Sequence, residues 1–262
     1  MVHPFRSQLL EAEMSWDREI SRPDWYLTVI PEVEILVRKS HGLQEAERLA
    51  IKQTLYDYFE MRLARHAFAL GQGTHGADSE RNNIDTIVIH HTSNPPGLSP
   101  LRLSAIELMR LYGPYFANPP EKERTLCGKP LFSGHERNGQ QVFWPYHWLV
   151  RNDGRAERLL SDAEIGWHAG NWNINCRSIA IALDNDYENS KPSGLILEAV
   201  AALIVDRYGQ VPITRVLGHR EVNQRTACPS KMFLDREGEK GWKTDLTDAM
   251  SVYRHADGSV SA

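Results

Sequence analysis

The sequence predicts an α/β fold with a central mixed β-sheet flanked by helices, preceded by a mainly helical N-terminal extension. Beyond residue 80, short apolar runs typical of strands alternate with segments of helical spacing. Residues 142–151 and 155–160 flank the turn Asn152-Asp-Gly154, which predicts a hairpin and therefore an antiparallel pair within the sheet. Before residue 80 the strongest pattern is that of one long amphipathic helix.

The N-terminal extension is assigned to residues 1–80. Apolar residues recur at helical spacing in residues 44–70, which predicts a helix, and the glycine-rich residues 71–76 end it and form a linker. Residues 25–30 predict a short strand or a buried turn, because a proline breaks regular structure on either side of them. No residue of the extension suggests chemistry, so a structural cap or a partner surface is expected.

The second domain is assigned to residues 81–255, and a flexible tail to residues 256–262. Its remaining elements follow from apolar runs and from residues that start helices. Strands are predicted over residues 84–90, 178–183 and 213–217, and helices over residues 99–112, 193–208 and, with Pro229 at the start, 229–254.

Composition disfavours several classes of protein. The net charge of -4, with mixed signs, offers no basic field to nucleic acid or to an anionic membrane. The chain has no run of about 18 apolar residues, which argues against membrane insertion. The first residues lack the apolar core of a signal peptide, and the three cysteines are widely spaced, so a reducing, cytoplasmic location is expected. Oligomeric state is not predicted.

A candidate metal site begins with His219 and Cys228, which lie nine residues apart after an apolar run. Zinc accepts both histidine nitrogen and cysteine thiolate, and a hydrolytic zinc keeps three protein ligands and a water. A third ligand is therefore expected elsewhere in the chain. The best candidate is the pair His90 and His91, at the end of the first predicted strand of the second domain.

Five short sequence motifs of the second domain occur in an order that is typical of one protein family. They are Ile87-Val-Ile-His-His-Thr92, Pro145-Tyr-His-Trp-Leu-Val-Arg-Asn-Asp-Gly154, Gly166-Trp-His-Ala-Gly170, Arg177-Ser-Ile-Ala-Ile181, and Gly218-His-Arg-Glu-Val222 followed by Ala227-Cys-Pro229. In this order they resemble the type 2 N-acetylmuramoyl-L-alanine amidases, which share a fold with peptidoglycan recognition proteins and phage lysozyme-type amidases. The resemblance covers roughly residues 81–245 and leaves residues 1–80 outside it.

The resemblance implies a zinc hydrolase that cuts the amide between the lactyl group of N-acetylmuramic acid and the L-alanine of the stem peptide, in peptidoglycan or in muropeptides. It assigns Zn²⁺ to His90, His219 and Cys228. His91 matches a position that varies within the family, and strand alternation predicts that it points to the opposite face from His90. The other two cysteines match no ligand position.

The resemblance also implies which residues manage protons and the oxyanion. Tyr146 matches a family tyrosine whose hydroxyl bonds the attacking water or the oxyanion. Thr226 stands where phage and recycling amidases carry a lysine, so its hydroxyl can donate a hydrogen bond but brings no charge. Ala182 stands where recycling amidases carry a glutamate. His168 matches a loop histidine near the metal, and contact with the substrate or the oxyanion is its predicted role.

Substrate contacts are predicted for Trp172, Asn173 and Arg177, although Arg177 could equally be a strand-edge residue that aids solubility. Alternation predicts that Trp144 and Trp148 pack in the core, and that His147 points to the opposite face from Tyr146 and has a packing or hydrogen-bonding role. Glu221 is expected to anchor the loop near the second histidine ligand.

Three functions remain open at this point. The leading hypothesis is a zinc amidase, the second is a peptidoglycan-binding module without turnover, and the third is a zinc hydrolase of the same fold that acts on another amide. The lack of a signal peptide favours cytoplasmic recycling of muropeptides, whereas Tyr146 with Thr226 resembles lytic or recognition-protein enzymes. Release by lysis or by non-classical export would also need no signal.

Overall fold

A five-stranded mixed sheet is the central feature of the computed structural model, which describes residues 4–72 and 77–258. Packing groups the chain into two units, Met1–Gly76 with Ser99–Phe143 and Ala77–Leu98 with Trp144–Ala262, and the sheet belongs to the second. The predicted α/β class with a helical N-terminal region is confirmed. Of the predicted linker at residues 71–76, residues 73–76 lie outside the described part of the chain.

The first unit consists of helices and one small hairpin. Its elements are α1 (Pro4–Glu19), α2 (Tyr26–Ser40), α3 (Glu45–Ala64), α4 (Pro100–Glu107), α5 (Gly113–Ala117), β2 (Glu136–Arg137) and β3 (Gln140–Gln141). Residues 99–143 pack with the N-terminal helices in this unit, and the predicted boundary at residue 80 stays a prediction. Arg102 on α4, for example, donates hydrogen bonds to Asp57 and Glu60 on α3 at 2.5 and 2.8 Å.

Aromatic rings form much of the core of this unit. The rings of Trp16 and Phe59 stack with centroids 5.4 Å apart, and those of Trp25 and Phe68 lie 4.8 Å apart. All four side chains are buried. Because isolated helices of this length are marginal in water, this aromatic packing is what stabilises them. None of the described helices is long and apolar enough to span a membrane.

The prediction of a strand or turn at residues 25–30 is wrong, because these residues lie in or beside α2. The helix continues through Pro31, which lacks a backbone N–H. Tyr26, Val29 and Ile30 follow helical spacing and are all buried. Burial of this apolar face offsets the hydrogen bond that the proline removes.

The second unit supplies the sheet and its covering helices. Its elements are β1 (Thr86–His91), β4 (Trp148–Val150), β5 (Ala156–Arg158), α6 (Trp172–Asn175), β6 (Ser178–Leu183), α7 (Gly194–Tyr208), β7 (Val216–Gly218), α8 (His219–Val222) and α9 (Trp242–Gly258). The strand order is β5-β4-β6-β1-β7, and only the hairpin pair β4 and β5 is antiparallel. The hairpin and the mixed sheet were predicted, although the paired strands are shorter than expected.

The helix predicted to begin at Pro229 is not formed there. Residues 229–241 form turns, and α9 starts only at Trp242. Tertiary bonds take the backbone groups that a helix would use, since the Lys231 N–H donates to the Glu188 carbonyl at 2.8 Å. Residues 256–258 of the predicted tail belong to α9, and residues 259–262 lie outside the described part of the chain.

The central strands have two different faces. In the register of β1 with β6, one face carries Thr86, Val88, His90, Ser178, Ala180 and Ala182, and is called the His90 face below. The opposite face carries Ile87, Ile89, Ile179, Ile181 and Leu183, which pack with buried residues of α7 and α9. Trp148 belongs to this apolar core, and Trp144 is also buried, as predicted for both.

Candidate metal centre

Three potential metal ligands converge on the His90 face. Donor atoms of His90, His219 and Cys228 all lie within 4.8 Å of one another. His90 is in β1, His219 directly follows the neighbouring strand β7, and Cys228 lies in the loop after α8. The two histidine rings have centroids 4.6 Å apart, and Cys228 Sγ is 3.7 Å from His90 Nδ1. The structure therefore brings the three predicted ligands together.

The arrangement fits a zinc ion. Zinc bonds of about 2.0–2.1 Å to nitrogen and about 2.3 Å to sulfur, at tetrahedral angles, separate a nitrogen and a sulfur ligand by about 3.6 Å. The distance from His90 Nδ1 to Cys228 Sγ is 3.7 Å. His219 Nε2 is buried and has no hydrogen-bond partner, which is uncommon for a polar atom unless it binds something else. His90 Nδ1, His219 Nε2 and Cys228 Sγ are therefore the atoms that would hold the ion.

Burial favours the neutral form of both histidines. Desolvation lowers the pKa of His219 to about 4, although a hydrogen bond to the Ala169 carbonyl opposes the shift. The pKa of His90 is lowered well below its ordinary value, first by burial and then by the nearby His219 and His168. A neutral imidazole carries the lone pair that metal binding requires.

The loop of residues 166–171, directly before α6, positions both imidazoles. His168 Nδ1 lies 3.0 Å from His90 Nε2. The next residue, Ala169, accepts a hydrogen bond from His219 through its carbonyl, and the donor is Nδ1–H because His219 Nε2 has no partner. His168 is itself only 5 % exposed. It contacts the imidazole of His90, and its predicted contact with substrate or oxyanion stays a prediction.

Local hydrogen bonds bring His219 and Cys228 close to each other. The Arg220 N–H donates to the Cys228 carbonyl at 2.7 Å, which folds the loop back on α8. The Cys228 N–H in turn donates to Thr226 Oγ1 at 3.1 Å. Thr226 therefore orients the backbone of Cys228, and its own hydroxyl proton remains available for a further bond.

Two neighbours of the ligands have structural bonds of their own. His91 Nδ1 accepts the Tyr187 N–H at 2.9 Å, on the face opposite His90. The Glu221 carboxylate accepts the Gly218 N–H at 2.7 Å and thereby anchors the junction of β7 and α8. Both arrangements correspond to the non-catalytic roles expected from the sequence.

Tyr146 and His147 both border the centre. The ring of Tyr146 is half-buried, with its centroid 5.1 Å from that of His90. His147 is fully buried, 6.4 Å from the ring of His168, and both of its ring nitrogens bond to backbone groups. The prediction that Tyr146 and His147 point to opposite faces assumed strand alternation, which does not apply here because β4 begins only at Trp148.

The predicted substrate contacts near α6 are at least partly accessible. Trp172 is half-buried, and its indole N–H donates to Glu80 at 2.8 Å. Its ring lies edge-on to Trp167, with centroids 6.3 Å apart, so the two rings form an aromatic pair. Asn173 is exposed. These residues remain candidates for holding a ligand.

Arg177 has a different environment from the other two predicted contacts. It pairs with Asp85 at 3.4 Å, just before the paired starts of β1 and β6. His90 pairs with Ala182, near the other end of the same strands. This ion pair favours the structural alternative for Arg177.

Sequence reasoning missed Ser178 and the carbonyl of Ala169. Ser178 Oγ lies 3.0 Å from His168 Nε2 and takes part in the support of His90. A signal for it existed, because Ser178, Ala180 and Ala182 alternate with large apolar residues and mark a face with room for other side chains. A backbone carbonyl leaves no such signal.

Gly166→Ala is expected to reduce the free energy of unfolding by about 2–3 kcal/mol and to disturb the loop that holds His168. A Cβ at this position would lie 2.1 Å from the Pro145 carbonyl oxygen, so the backbone would have to move. Urea unfolding measures the effect. Gly194→Ala is the control, since its Cβ would meet nothing within 4 Å, and an equal loss in both variants would contradict the steric explanation.

Stability is expected to fall as pH decreases from about 6.5 towards 3, because His147 is buried in its neutral form. Burial lowers the pKa of His147 to about 3, whereas an unfolded histidine titrates near 6.5. Between these values only the unfolded chain binds the proton, so the free energy of unfolding decreases by about 1.4 kcal/mol per pH unit for this group. Urea unfolding of wild type and His147→Gln at several pH values should show a weaker dependence in the variant. Equal slopes would contradict this.

Comparison with known proteins identifies one family and several similar folds. The model of the family described as N-acetylmuramoyl-L-alanine amidase matches residues 80–231, more than half of the chain, and this segment contains all three potential ligands. No curated protein sequence matches the chain.

Solved structures with similar folds share about a fifth of their residues with the chain. The Ph2119 endolysin from Thermus scotoductus MAT2119 bacteriophage Ph2119 is 21% identical, with a TM-score of 0.40 over 64% of this chain and 86% of that one. The endolysin amidase LysCS from Clostridium intestinale URNW is 22% identical, with a TM-score of 0.38 over 58% and 78%. Drosophila peptidoglycan recognition protein SD is 21% identical, with a TM-score of 0.36 over 56% and 75%.

Proposed function

The chain belongs to the N-acetylmuramoyl-L-alanine amidase family, and from this premise we propose that it is a zinc-dependent enzyme that hydrolyses the amide between N-acetylmuramic acid and L-alanine. Its substrate would be peptidoglycan or a muropeptide released from it. The observation that carries the proposal is the convergence of two neutral imidazoles and a thiol on one point, with His219 Nε2 buried and unpartnered.

Each residue of the centre has a distinct task in the proposed reaction. Zinc, when bound, would supply Lewis-acid chemistry, lowering the pKa of water and polarising the scissile carbonyl. The ligand set His90, His219 and Cys228 would hold it with one thiolate and two neutral nitrogens. Support from the loop of residues 166–171 restrains both imidazole rings, so that little reorganisation is needed during the reaction.

Protons and developing negative charge require further groups. The ring of Tyr146 borders that of His90, which supports a role in which its phenolic O–H donates a hydrogen bond to the oxyanion that develops on the scissile carbonyl. Thr226, whose oxygen accepts the Cys228 N–H, can offer its hydroxyl proton to the same region. The half-buried Trp172 and the exposed Asn173 would contact the sugar or the stem peptide.

The proposal is tested with a defined muropeptide and purified protein loaded with one equivalent of zinc. The expected result is release of the free stem peptide, detected by mass spectrometry, with loss of activity on chelation and recovery on addition of zinc. Intact sacculi assayed in parallel would show whether polymeric wall or small muropeptides are preferred. Zinc binding at one equivalent without any cleavage would contradict the proposal and favour a peptidoglycan-binding module or a different amide substrate.

A further inference from the structure

A continuous hydrogen-bond chain extends from the His90 ligand into the protein. His90 Nε2 lies 3.0 Å from His168 Nδ1, and His168 Nε2 lies 3.0 Å from Ser178 Oγ. The Ser178 hydroxyl lies 2.6 Å from the Ile174 carbonyl oxygen. The three side chains are each no more than 5 % exposed, so water does not compete for these bonds.

The hydrogen bond from Ser178 to Ile174 determines which nitrogens of His168 and His90 carry a proton. A carbonyl oxygen can only accept, so the Ser178 hydroxyl donates to Ile174. The Ser178 oxygen then accepts from His168, which places the His168 proton on Nε2 and leaves its Nδ1 as an acceptor. His168 Nδ1 consequently accepts from His90 Nε2–H. A neutral His90 that carries its proton on Nε2 has its lone pair on Nδ1, the atom 3.7 Å from Cys228 Sγ.

We propose that His168 and Ser178 are positioning residues that set the tautomer and ring orientation of His90, so that its Nδ1 lone pair points to the metal. The inference rests on the proposed zinc site. A metal-bound histidine commonly donates its second nitrogen to a carboxylate, a carbonyl or water. Here a second histidine takes that place, and a serine at the start of the neighbouring strand accepts its Nε2–H, which keeps its Nδ1 an acceptor.

The first test measures the tautomer directly in zinc-free protein. Long-range ¹H–¹⁵N correlation spectra of protein labelled at histidine nitrogen distinguish a proton on Nδ1 from one on Nε2, and a His90→Gln spectrum assigns the signal. The expected result is neutral His90 with its proton on Nε2. A proton on Nδ1 would overturn the inference. Because no metal or substrate is involved, this outcome is independent of whether the protein is an amidase.

The second test compares zinc affinity among variants by chelator competition. His168→Phe removes the acceptor for His90 Nε2–H and is expected to weaken zinc binding about 10–100-fold. His168→Asn keeps an acceptor oxygen near the position of Nδ1, so it should retain most of the affinity. Ser178→Ala should weaken binding less than His168→Phe, because His168 could then adopt either tautomer.

Ser104→Ala is the matched control for loss of a buried serine hydroxyl. Ser104 Oγ accepts the Phe143 N–H at 2.9 Å in the first unit, so this variant should bind zinc like wild type. Wild-type affinity in His168→Phe, or equal losses in His168→Phe and His168→Asn, would overturn the inference. If the His168 variants do not fold, the tautomer of the unmodified protein decides. Failure of wild type to bind zinc would instead count against the proposed function.

Discussion

Cys228→Ser is expected to lose zinc binding and nearly all amidase activity. A neutral hydroxyl would replace an anionic thiolate in a set of only three protein ligands. Loss of an outer hydrogen-bond partner alone typically costs about 10–100-fold in metal affinity, so loss of this direct ligand should exceed about 100-fold. Chelator competition measures the affinity, and stem-peptide release measures the activity.

Cys176→Ser provides the matched control for this variant. Cys176 is another free thiol, in this case buried, and it is not among the clustered donors. The control should bind zinc and turn over substrate like wild type, even if its stability is somewhat changed. Wild-type zinc affinity in Cys228→Ser would remove this residue from the ligand set and leave the proposed centre with two ligands.

Tyr146→Phe is expected to bind zinc normally and to lose about 10²–10³-fold in kcat. The substitution deletes only the hydroxyl of a ring whose centroid lies 5.1 Å from that of His90, and it leaves the ring in place. If that hydroxyl bonds the oxyanion only in the transition state, kcat and kcat/KM should fall together while KM changes little. Steady-state kinetics with a soluble muropeptide would separate these parameters.

Tyr187→Phe is the control for the loss of a tyrosine hydroxyl in the same unit. The Tyr187 hydroxyl donates to Asn152 at 3.1 Å, and Tyr187 is not among the clustered donors. Its removal should leave kcat unchanged. An unchanged rate in Tyr146→Phe would exclude the proposed role, and a large rise in KM with normal kcat would assign Tyr146 to ground-state substrate binding instead.

Much of the sheet could be predicted because its signals are local. Alternating large and small residues mark β6 as a strand with two different faces, and an apolar run marks β1. The turn at residues 152–154 marks the hairpin of β4 and β5. Such patterns depend on neighbours within a few residues, so a single sequence displays them.

The elements that were missed depend on distant contacts. Pro31 is a local signal against a helix, yet burial of one apolar face keeps α2 intact. Pro229 is a local signal for a helix start, yet bonds such as that from Lys231 to Glu188 hold the following residues in turns. Tertiary packing outweighs local propensity at each of these places.

The sequence by itself determined the fold class, the family and the identity of the three potential ligands, because residue types in a characteristic order carry that information. Only the tertiary structure decided what supports them. It brings His168 and Ser178 into a hydrogen-bonded series with His90. It also makes the Ala169 carbonyl a hydrogen-bond acceptor for His219 and leaves His219 Nε2 without a partner. The physical reason is that hydrogen bonds and protonation depend on the distance and direction between atoms that are far apart in the chain. The order of residues does not give either quantity.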